Sequence, residues 1–557
     1  MRWNPGPARS RLPGRARRPG REAEAVIDKV DLIEALRRPE CFPHPVDAVE
    51  LVETHISWVL LAGAFAYKLK KPVDFGFLDF STLEARRHFC VEEIRLNRRL
   101  APQLYLDVVP IAGPARAPRV GGAGEPIEYA VRMRRFRREN ELDALAGRGE
   151  LRPEHIDVLA TRVADFHAQA ETAPATGPWG TPEAVLAPCS ANFEQLARQP
   201  LPEPQRARLE RLQRWTLAEH ARLRPLIASR LAQGRVRECH GDLHLANIVL
   251  LAGEPVVFDA LEFNPALRWI DVVSEIAFTV MDLEHRGRHD LAQRFLDDYL
   301  AASGDYAGLA LLPFYLVYRA LVRTKVAALR AGQPEGEHGQ AHARADAREI
   351  ETHLALAERF AAPRPRCLVT THGVSGSGKS FTARLLLQAG PWIRLRSDIE
   401  RKRLAGLAPL ADSRSGAAAG LYTASMTERT YARLLELARQ VLTAGFPVIV
   451  DAAFLRAEQR RPFAELARSC GLAWVLLALD APEATLRARV ERRRASGSDP
   501  SEATLPVLER QLAGAEPPAG EELAHTVAVD TRDASGPQRL EQELARRCGA
   551  VPRDAAS

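Results

Sequence analysis

Residues 57–73, SWVLLAGAFAYKLKKPV, are apolar on both sides of Gly63 and then alternate, a pattern that predicts two strands turning at that glycine. The alternation puts Phe65, Tyr67 and Leu69 on one face and Lys68 and Lys70 on the other. Residues 82–100 change to helical spacing, and from Arg152 to the loop before Cys239 most of the chain reads as helix with Pro-rich breaks. IVLL at 248–251 and the start of EPVVFDALEF at 254–263 predict short strands around a turn at Gly253, with helices following to Arg330. Strands first, then mostly helices around one polar loop, is an α+β pattern. Beyond residue 366 strand and helix alternate: CLVTTHG (367–373), PWIRLRSD (391–398), FPVIVDAAF (446–454), WVLLALD (474–480) and HTVAVDT (525–531) predict an α/β parallel sheet. The polar stretch 331–347 and the Pro-rich AAPRPR of 361–366 punctuate the chain, with a short helix between them. The expected organisation is a basic tail at 1–22, a first domain at 23–345, a helix and linker at 346–365, and a second domain at 366–557.

Composition narrows this picture. The length of 557 residues allows about two to four domains, and 46% hydrophobic with 27% charged residues excludes a wholly disordered or collagen-like chain. Seven scattered cysteines without a Cys-x-x-Cys pair exclude a disulfide scaffold and fit a reducing cytoplasm. The formal net charge is +6, but the first 21 residues hold seven Arg and no acid, so the remaining residues carry about −1. A basic face for nucleic acid is therefore not supported by net charge, and the tail reads as disordered. No uninterrupted apolar run approaches the ~18 residues that span a bilayer. Only seven residues are Lys, and four of them (Lys68, Lys70, Lys71 and Lys379) fall where phosphate chemistry is expected.

GVSGSGKS, residues 373–380, satisfies G-x-x-x-x-G-K-[ST] between a predicted strand and a predicted helix. In such a loop Gly373, Val374, Ser375, Gly376, Ser377 and Gly378 turn backbone N–H groups toward phosphate, Lys379 reaches the β- and γ-phosphates, and Ser380 ligates Mg²⁺. Asp398, at the end of the next strand, can take the proton of an attacking hydroxyl, and Arg401 one turn on can hold the acceptor. Asp451 closes FPVIVD where a P-loop protein keeps a carboxylate near Mg²⁺, and Arg489 and Arg493 share a helix face that could close over the phosphates. On these residues the span 366–535 resembles the P-loop small-molecule kinases, which include gluconate kinase, chloramphenicol phosphotransferase and polynucleotide 5′-kinase. The resemblance implies ATP and Mg²⁺, with Asp398 as base, Arg401 on the acceptor, and Arg489 or Arg493 in a lid.

In the first half HGDLHLAN, residues 240–247, places Asp242 and Asn247 at the D-x4-N spacing of a kinase catalytic loop, with Asp259 twelve residues past Asn247. His240 and His244 sit four apart without cysteine partners and read as structural. This loop resembles that of the aminoglycoside phosphotransferase and choline kinase superfamily, whose fold is protein-kinase-like and two-lobed. The resemblance implies Asp242 as catalytic base, Asn247 and Asp259 on Mg²⁺, and Lys68, partnered by Glu93, on the ATP phosphates. Lys70 and Glu92 are the alternatives to that pair. DALEF replaces the Asp-Phe-Gly of protein kinases, making Glu262 a candidate for a further ligand or acceptor contact, and no glycine-rich loop precedes Lys68. From Val46 to Asp530 the two halves, in this order, resemble the bacterial bifunctional aminoglycoside phosphotransferase/ATP-binding proteins.

The expectation is a cytoplasmic, two-module, ATP- and Mg²⁺-dependent phosphotransferase acting on small-molecule hydroxyl groups, without a membrane partner. A polycationic aminoglycoside would need an acidic pocket. Asp282, Glu284, Asp297 and Asp298 offer acids, but such charges read as a solvated helix face. A metabolite, sugar or nucleoside is therefore the expected acceptor. The rivals are a regulatory P-loop ATPase that switches the first half, a nucleic-acid 5′-hydroxyl kinase suggested by residues 492–494, and a protein kinase.

Overall fold

The computed structural model describes residues 31–74, 78–332, 340–409, 411, 423–496, 503–531 and 536–549, without the side chains of 340–343, 493–496 and 536–537. The tail expected at 1–22 lies outside these residues. By internal contacts the chain forms two compact units, Met1–Arg137 with Ala260–Asn264, and Arg138–Asp259 with Pro265–Ser557.

The first unit is built on β1 (Val49–Glu53), β2 (Ser57–Ala62), β3 (Phe65–Lys70), helix α1 (Leu83–Asn97), β4 (Tyr105–Ala112), β5 (Arg119–Val120) and β6 (Pro126–Arg134). Its sheet runs β1-β2-β3-β6-β4-β5, all antiparallel. β2 and β3 pair from Ser57↔Lys70 to Ala62↔Phe65, and the hairpin turns at Gly63 with φ +57°, as the sequence predicts. Tyr67 and Leu69 enter the apolar cluster with Leu36, Leu60 and Ile111, so period-two alternation delivers Lys68 and Lys70 to the opposite face. Thr82 caps α1 by accepting the Ala85 N–H at 3.1 Å.

The second unit includes helices α2 (Pro153–Gln169), α3 (Pro182–Ala197) and α4 (Glu203–Ala232). β7 (Val236–Glu238), β8 (Ile248–Leu251), β9 (Glu254–Val257) and β10 (Trp269–Asp271) form two antiparallel pairs, β8 with β9 and β7 with β10. Helices α5 (Val272–His285), α6 (His289–Ser303), α7 (Leu312–Ala331) and α8 (Gln340–Ala361) complete the helical layer. The linker helix α8 starts six residues before the position expected for it, and buries Ile350, Leu354, Ala357 and Phe360. It does not hang between domains.

The alternating part consists of β11 (Cys367–His372), α9 (Lys379–Ala389), β12 (Ile393–Arg396), α10 (Ser397–Leu404), α11 (Ala424–Thr443), β13 (Val448–Asp451), α12 (Ala457–Ser469), β14 (Ala473–Asp480), α13 (Glu483–Ser496), α14 (Leu505–Gly514), β15 (Thr526–Asp530) and α15 (Gly536–Cys548). All five strands are parallel, in the order β12-β13-β11-β14-β15. β11 and β13 are buried almost throughout, which explains their continuous apolar runs. Two sequence expectations change. Cys367 and Cys548, 181 residues apart, form a disulfide with Cα atoms 5.5 Å apart, because α15 returns to the start of β11. Asp398 does not end β12; the strand stops at Arg396 and Asp398 lies in the first turn of α10. Among the described residues no helix is long and apolar enough to cross a membrane.

Candidate functional site

The GVSGSGKS segment bridges β11 and α9 at the carboxyl edge of the parallel sheet, where open α/β folds hold their ligands. Gly376 and Gly378 have φ +85° and +97°, and a Cβ at either would meet Leu486 O at 2.7 Å or the Thr531 side chain at 2.8 Å. Only glycine fits both the conformation and the space. The Gly373 N–H donates to Ala453 O at 3.0 Å and the Ser377 N–H to Val374 O at 3.2 Å, while Gln511 Oε1 accepts the Ser375 N–H at 2.7 Å. Lys379 Nζ donates to Val374 O at 2.8 Å, folded back over the cradle.

A cleft of about 440 Å³ opens on this loop, lined by Lys379, Ser380, Asp398, Arg401, Asp451 and Arg489 among others. The fold thus brings together the residues that the motifs predicted separately. Asp451 is 5% exposed and its Oδ2 has no hydrogen-bond partner. An orphaned carboxylate oxygen in the cleft that Ser380 also lines fits the donor set of a hard divalent cation. Arg401 donates to Thr427 Oγ1 at 3.2 Å, which orients it along α11. Arg489 donates to Gly376 O at 3.1 Å and Thr531 Oγ1 at 2.9 Å, so it braces the phosphate loop directly. The side chain of Arg493 lies outside the described residues.

The HGDLHLAN loop of the same unit is held from below by α5, an apolar helix with one polar stripe at i, i+4, i+7. Glu275 accepts the His240 N–H at 3.0 Å and the Gly241 N–H at 3.0 Å, Thr279 Oγ1 donates to Leu243 O at 2.8 Å, and Asp282 Oδ2 accepts the Leu245 N–H at 2.9 Å. Arg319 of α7 completes the brace by donating to Gly241 O at 3.1 Å. Of these four only Asp282 was singled out in the sequence, and there as an acid of a solvated helix face; Glu275, Thr279 and Arg319 carried no motif, although the stripe itself was legible as polar positions at helical spacing. Burial raises the Glu275 carboxyl to about 7 despite Arg319 and the two N–H donors.

Within the loop Asn247 Nδ2 donates to Asp242 Oδ2 and to Asp242 O, each at 3.0 Å, so the D-x4-N pair is preassembled. His244 Nε2 lies 3.3 Å from Asp242 Oδ2. Burial opposes charge on Asp242, but His244, His240 and Arg319 outweigh it and hold the carboxyl well below its ordinary range. His240 Nε2 meets Phe258 O at 2.8 Å and the Phe258 N–H donates to Asn247 O at 2.9 Å, which stitches the end of β9 to the loop. The next residue, Asp259, has φ +64°, an uncommon backbone for a non-glycine residue. Both histidines have partners within the fold, His240 at Phe258 O and His244 beside Asp242.

In the first unit Glu93 is fully buried and binds two lysines, Lys68 Nζ at 2.9 Å and Lys70 Nζ at 2.5 Å. Lys70 is 0% exposed and also pairs with Glu262, whereas the Lys68 side chain is 13% exposed. Glu262 is thus a structural counter-ion of Lys70, and Glu92 instead pairs with Arg95 at 3.0 Å. Burial lowers the tendency of Lys70 to be charged, but Glu262 and Glu93 more than offset it. Burial likewise opposes charge on Glu93, and the two lysines bring its carboxyl down to about 2.

The acids weighed as a solvated face are buried and paired. Asp282 serves the loop and Arg286, Glu284 binds His289 and Arg359, and Asp297 binds Arg394 of β12. Asp298, raised to about 7 by burial and then by Asp297 and Asp157, shares a hydrogen bond with Asp157.

Two family profiles match the chain: the phosphotransferase enzyme family over residues 83–312 and an AAA domain over 368–518. Among solved structures, a choline/ethanolamine kinase family protein from Mesorhizobium loti is 13% identical with TM-score 0.35, covering 60% of this chain and 99% of that one. A gluconokinase from Sinorhizobium meliloti is 23% identical with TM-score 0.24, covering 33% and 98%. Uncharacterized proteins of Mycobacterium tuberculosis and Mycobacterium bovis are 32% identical over 462 residues, 82% of this chain and 90% of theirs. The fold and sites define a phosphotransferase-type, kinase-like α+β domain fused to an α/β P-loop kinase-like domain. The chain belongs to the family of these mycobacterial proteins.

Proposed function

We propose that the chain is an ATP- and Mg²⁺-dependent phosphotransferase acting on hydroxyl groups of small molecules, with one nucleotide module in 23–345 and another in 366–557. The observation that carries this reading is the cleft of about 440 Å³ in which Asp398 and Arg401 accompany Lys379, Ser380 and Asp451. A nucleotide switch needs the phosphate cradle, but it has no use for a carboxylate and an arginine placed for an acceptor. In the second module Lys379 and the loop N–H groups bind the phosphates and Arg401 holds the acceptor. The acceptor oxygen bonds to the γ-phosphorus as the bond to the ADP oxygen breaks, and Asp398 takes the hydroxyl proton. Mg²⁺, held by Ser380 and Asp451, supplies charge compensation for the phosphates. In the first module Asp242 takes the corresponding proton, Asn247 and Asp259 serve the metal, and Lys68, the more exposed of the two lysines on Glu93, serves the phosphates.

The test is transfer of labelled γ-phosphate from ATP to pooled hydroxyl metabolites and aminoglycosides, comparing the parent chain with Asp242→Ala and Lys379→Ala. The expected result is product lost in only one variant for each acceptor. Phosphate release that depends on Lys379 without any phosphorylated acceptor would support the switch reading. The buried Arg394–Asp297 pair, which ties β12 to α6, is the observation that favours that second reading.

A further inference from the structure

The Pro-rich AAPRPR segment serves neither site, yet it borders a second cavity of about 420 Å³. This cavity lies where Cys367, Trp392 and Phe446 lead into β11, β12 and β13, at the amino edge of the sheet. The phosphate loop, Asp398 and Asp451 lie at the carboxyl edge, roughly 20 Å away along the six residues of β11. Its walls are largely apolar, Leu296, Leu316, Trp392 and Leu544 among them, with Glu284, Arg359, Arg364 and Glu541 as their charged groups. A volume of this size is in the range of small-ligand sites.

Three polar groups in the walls are incompletely matched. The Arg364 guanidinium lies 4.8 Å from the Phe446 ring centroid, and its hydrogen bond is a long 3.4 Å contact to Phe360 O. Among the described residues no carboxylate lies within ion-pair distance of Arg364, and Glu284 is already held by His289 at 2.5 Å and Arg359 at 2.7 Å. Gln293 is 7% exposed with Oε1 unpartnered, and His289 Nε2 is unpartnered as well. Burial lowers Arg364 to about 10, and the nearby Glu284 offsets only part of that.

We infer that this cavity binds a small amphipathic carboxylate, its anionic head on Arg364 and its hydrocarbon or aromatic body against Leu296, Leu316, Trp392 and Leu544. A planar carboxylate matches the guanidinium fork, while Arg364, with Arg359 already paired to Glu284 and with Glu284 and Glu541 also in the walls, is a poor host for a phosphate dianion. The cavity also touches α5 through Val280 and Glu284, two turns or less from the residues that hold the HGDLHLAN loop, and β11 through Cys367, the strand that leads to the phosphate loop.

Isothermal titration of the full chain with octanoate, 1-octanol and octylamine tests this. Octanoate should bind one site at least tenfold more tightly than octanol or octylamine. Arg364→Gln should weaken octanoate at least tenfold, and Ala545→Trp, which fills the cavity from α15, should do the same, both with unchanged melting temperature. Saturating ATP should leave octanoate binding unaltered. Equal binding of octanol and octanoate, an unaffected Arg364→Gln variant, displacement by ATP, or no saturable heat with octanoate or 4-phenylbutyrate up to millimolar concentration would each overturn the inference.

Discussion

Glu275 has no motif around it, yet its carboxylate fixes the two backbone N–H groups that precede Asp242. Its carboxyl is raised from an ordinary 4.5 to about 7. Between those values the folded chain keeps a proton that the unfolded chain has released, so this group makes stability fall as pH rises through that window. The shift corresponds to up to about 3 kcal/mol. Urea denaturation from pH 4.5 to 7.5 should show that loss in the parent chain, and Glu275→Gln should flatten the curve across the same range. Lys70 gives a second test at this scale. Lys70→Met would leave two buried carboxylates, Glu93 and Glu262, with one lysine between them. The expected cost is about 3–5 kcal/mol in urea denaturation. Lys68→Met, at the more exposed position, should destabilise less and instead weaken ATP-dependent turnover by the first module.

At the scale of elements, the phosphate loop depends on backbone shape as much as on Lys379. Gly376→Ala forces a Cβ into a left-handed residue 2.7 Å from Leu486 O. Nucleotide affinity, read by titration with ATP, should fall at least tenfold, while far-UV circular dichroism stays that of the parent because α9 and β11 are unchanged. The loop–helix relationship in α5 follows the same logic. Glu275, Thr279 and Asp282 lie on one stripe of a buried helix, and each finds a partner in the backbone of the loop. Their periodicity was visible in the sequence, but what the stripe faced was not, because helix spacing specifies a face and not the neighbour that covers it.

At the scale of the whole molecule, Arg394 and Asp297 are almost fully buried and join β12 to α6 within the second unit. Arg394→Met should cost about 3–5 kcal/mol by stranding the Asp297 carboxylate, and adding Asp297→Leu should restore most of that loss in urea denaturation. If the single and double variants were equally unstable, packing rather than charge would account for the defect.

What the chain determined by itself is what lies close together in sequence: the strand and helix order from β11 onward, the β2–β3 hairpin at Gly63, the GVSGSGKS and HGDLHLAN loops, and the faces presented by Lys68 and Lys70. Local periodicity and turn chemistry suffice for these. The tertiary structure decided everything that depends on distant partners. It bound Glu93 to both lysines rather than one, made Glu262 a counter-ion, and turned acids expected on a solvated face into buried pairs. It also joined Cys367 to Cys548 and gathered Asp398, Arg401 and Asp451 around the phosphate loop. A charge is free, paired or catalytic according to what else is buried beside it, and in this chain those neighbours lie up to 192 residues away.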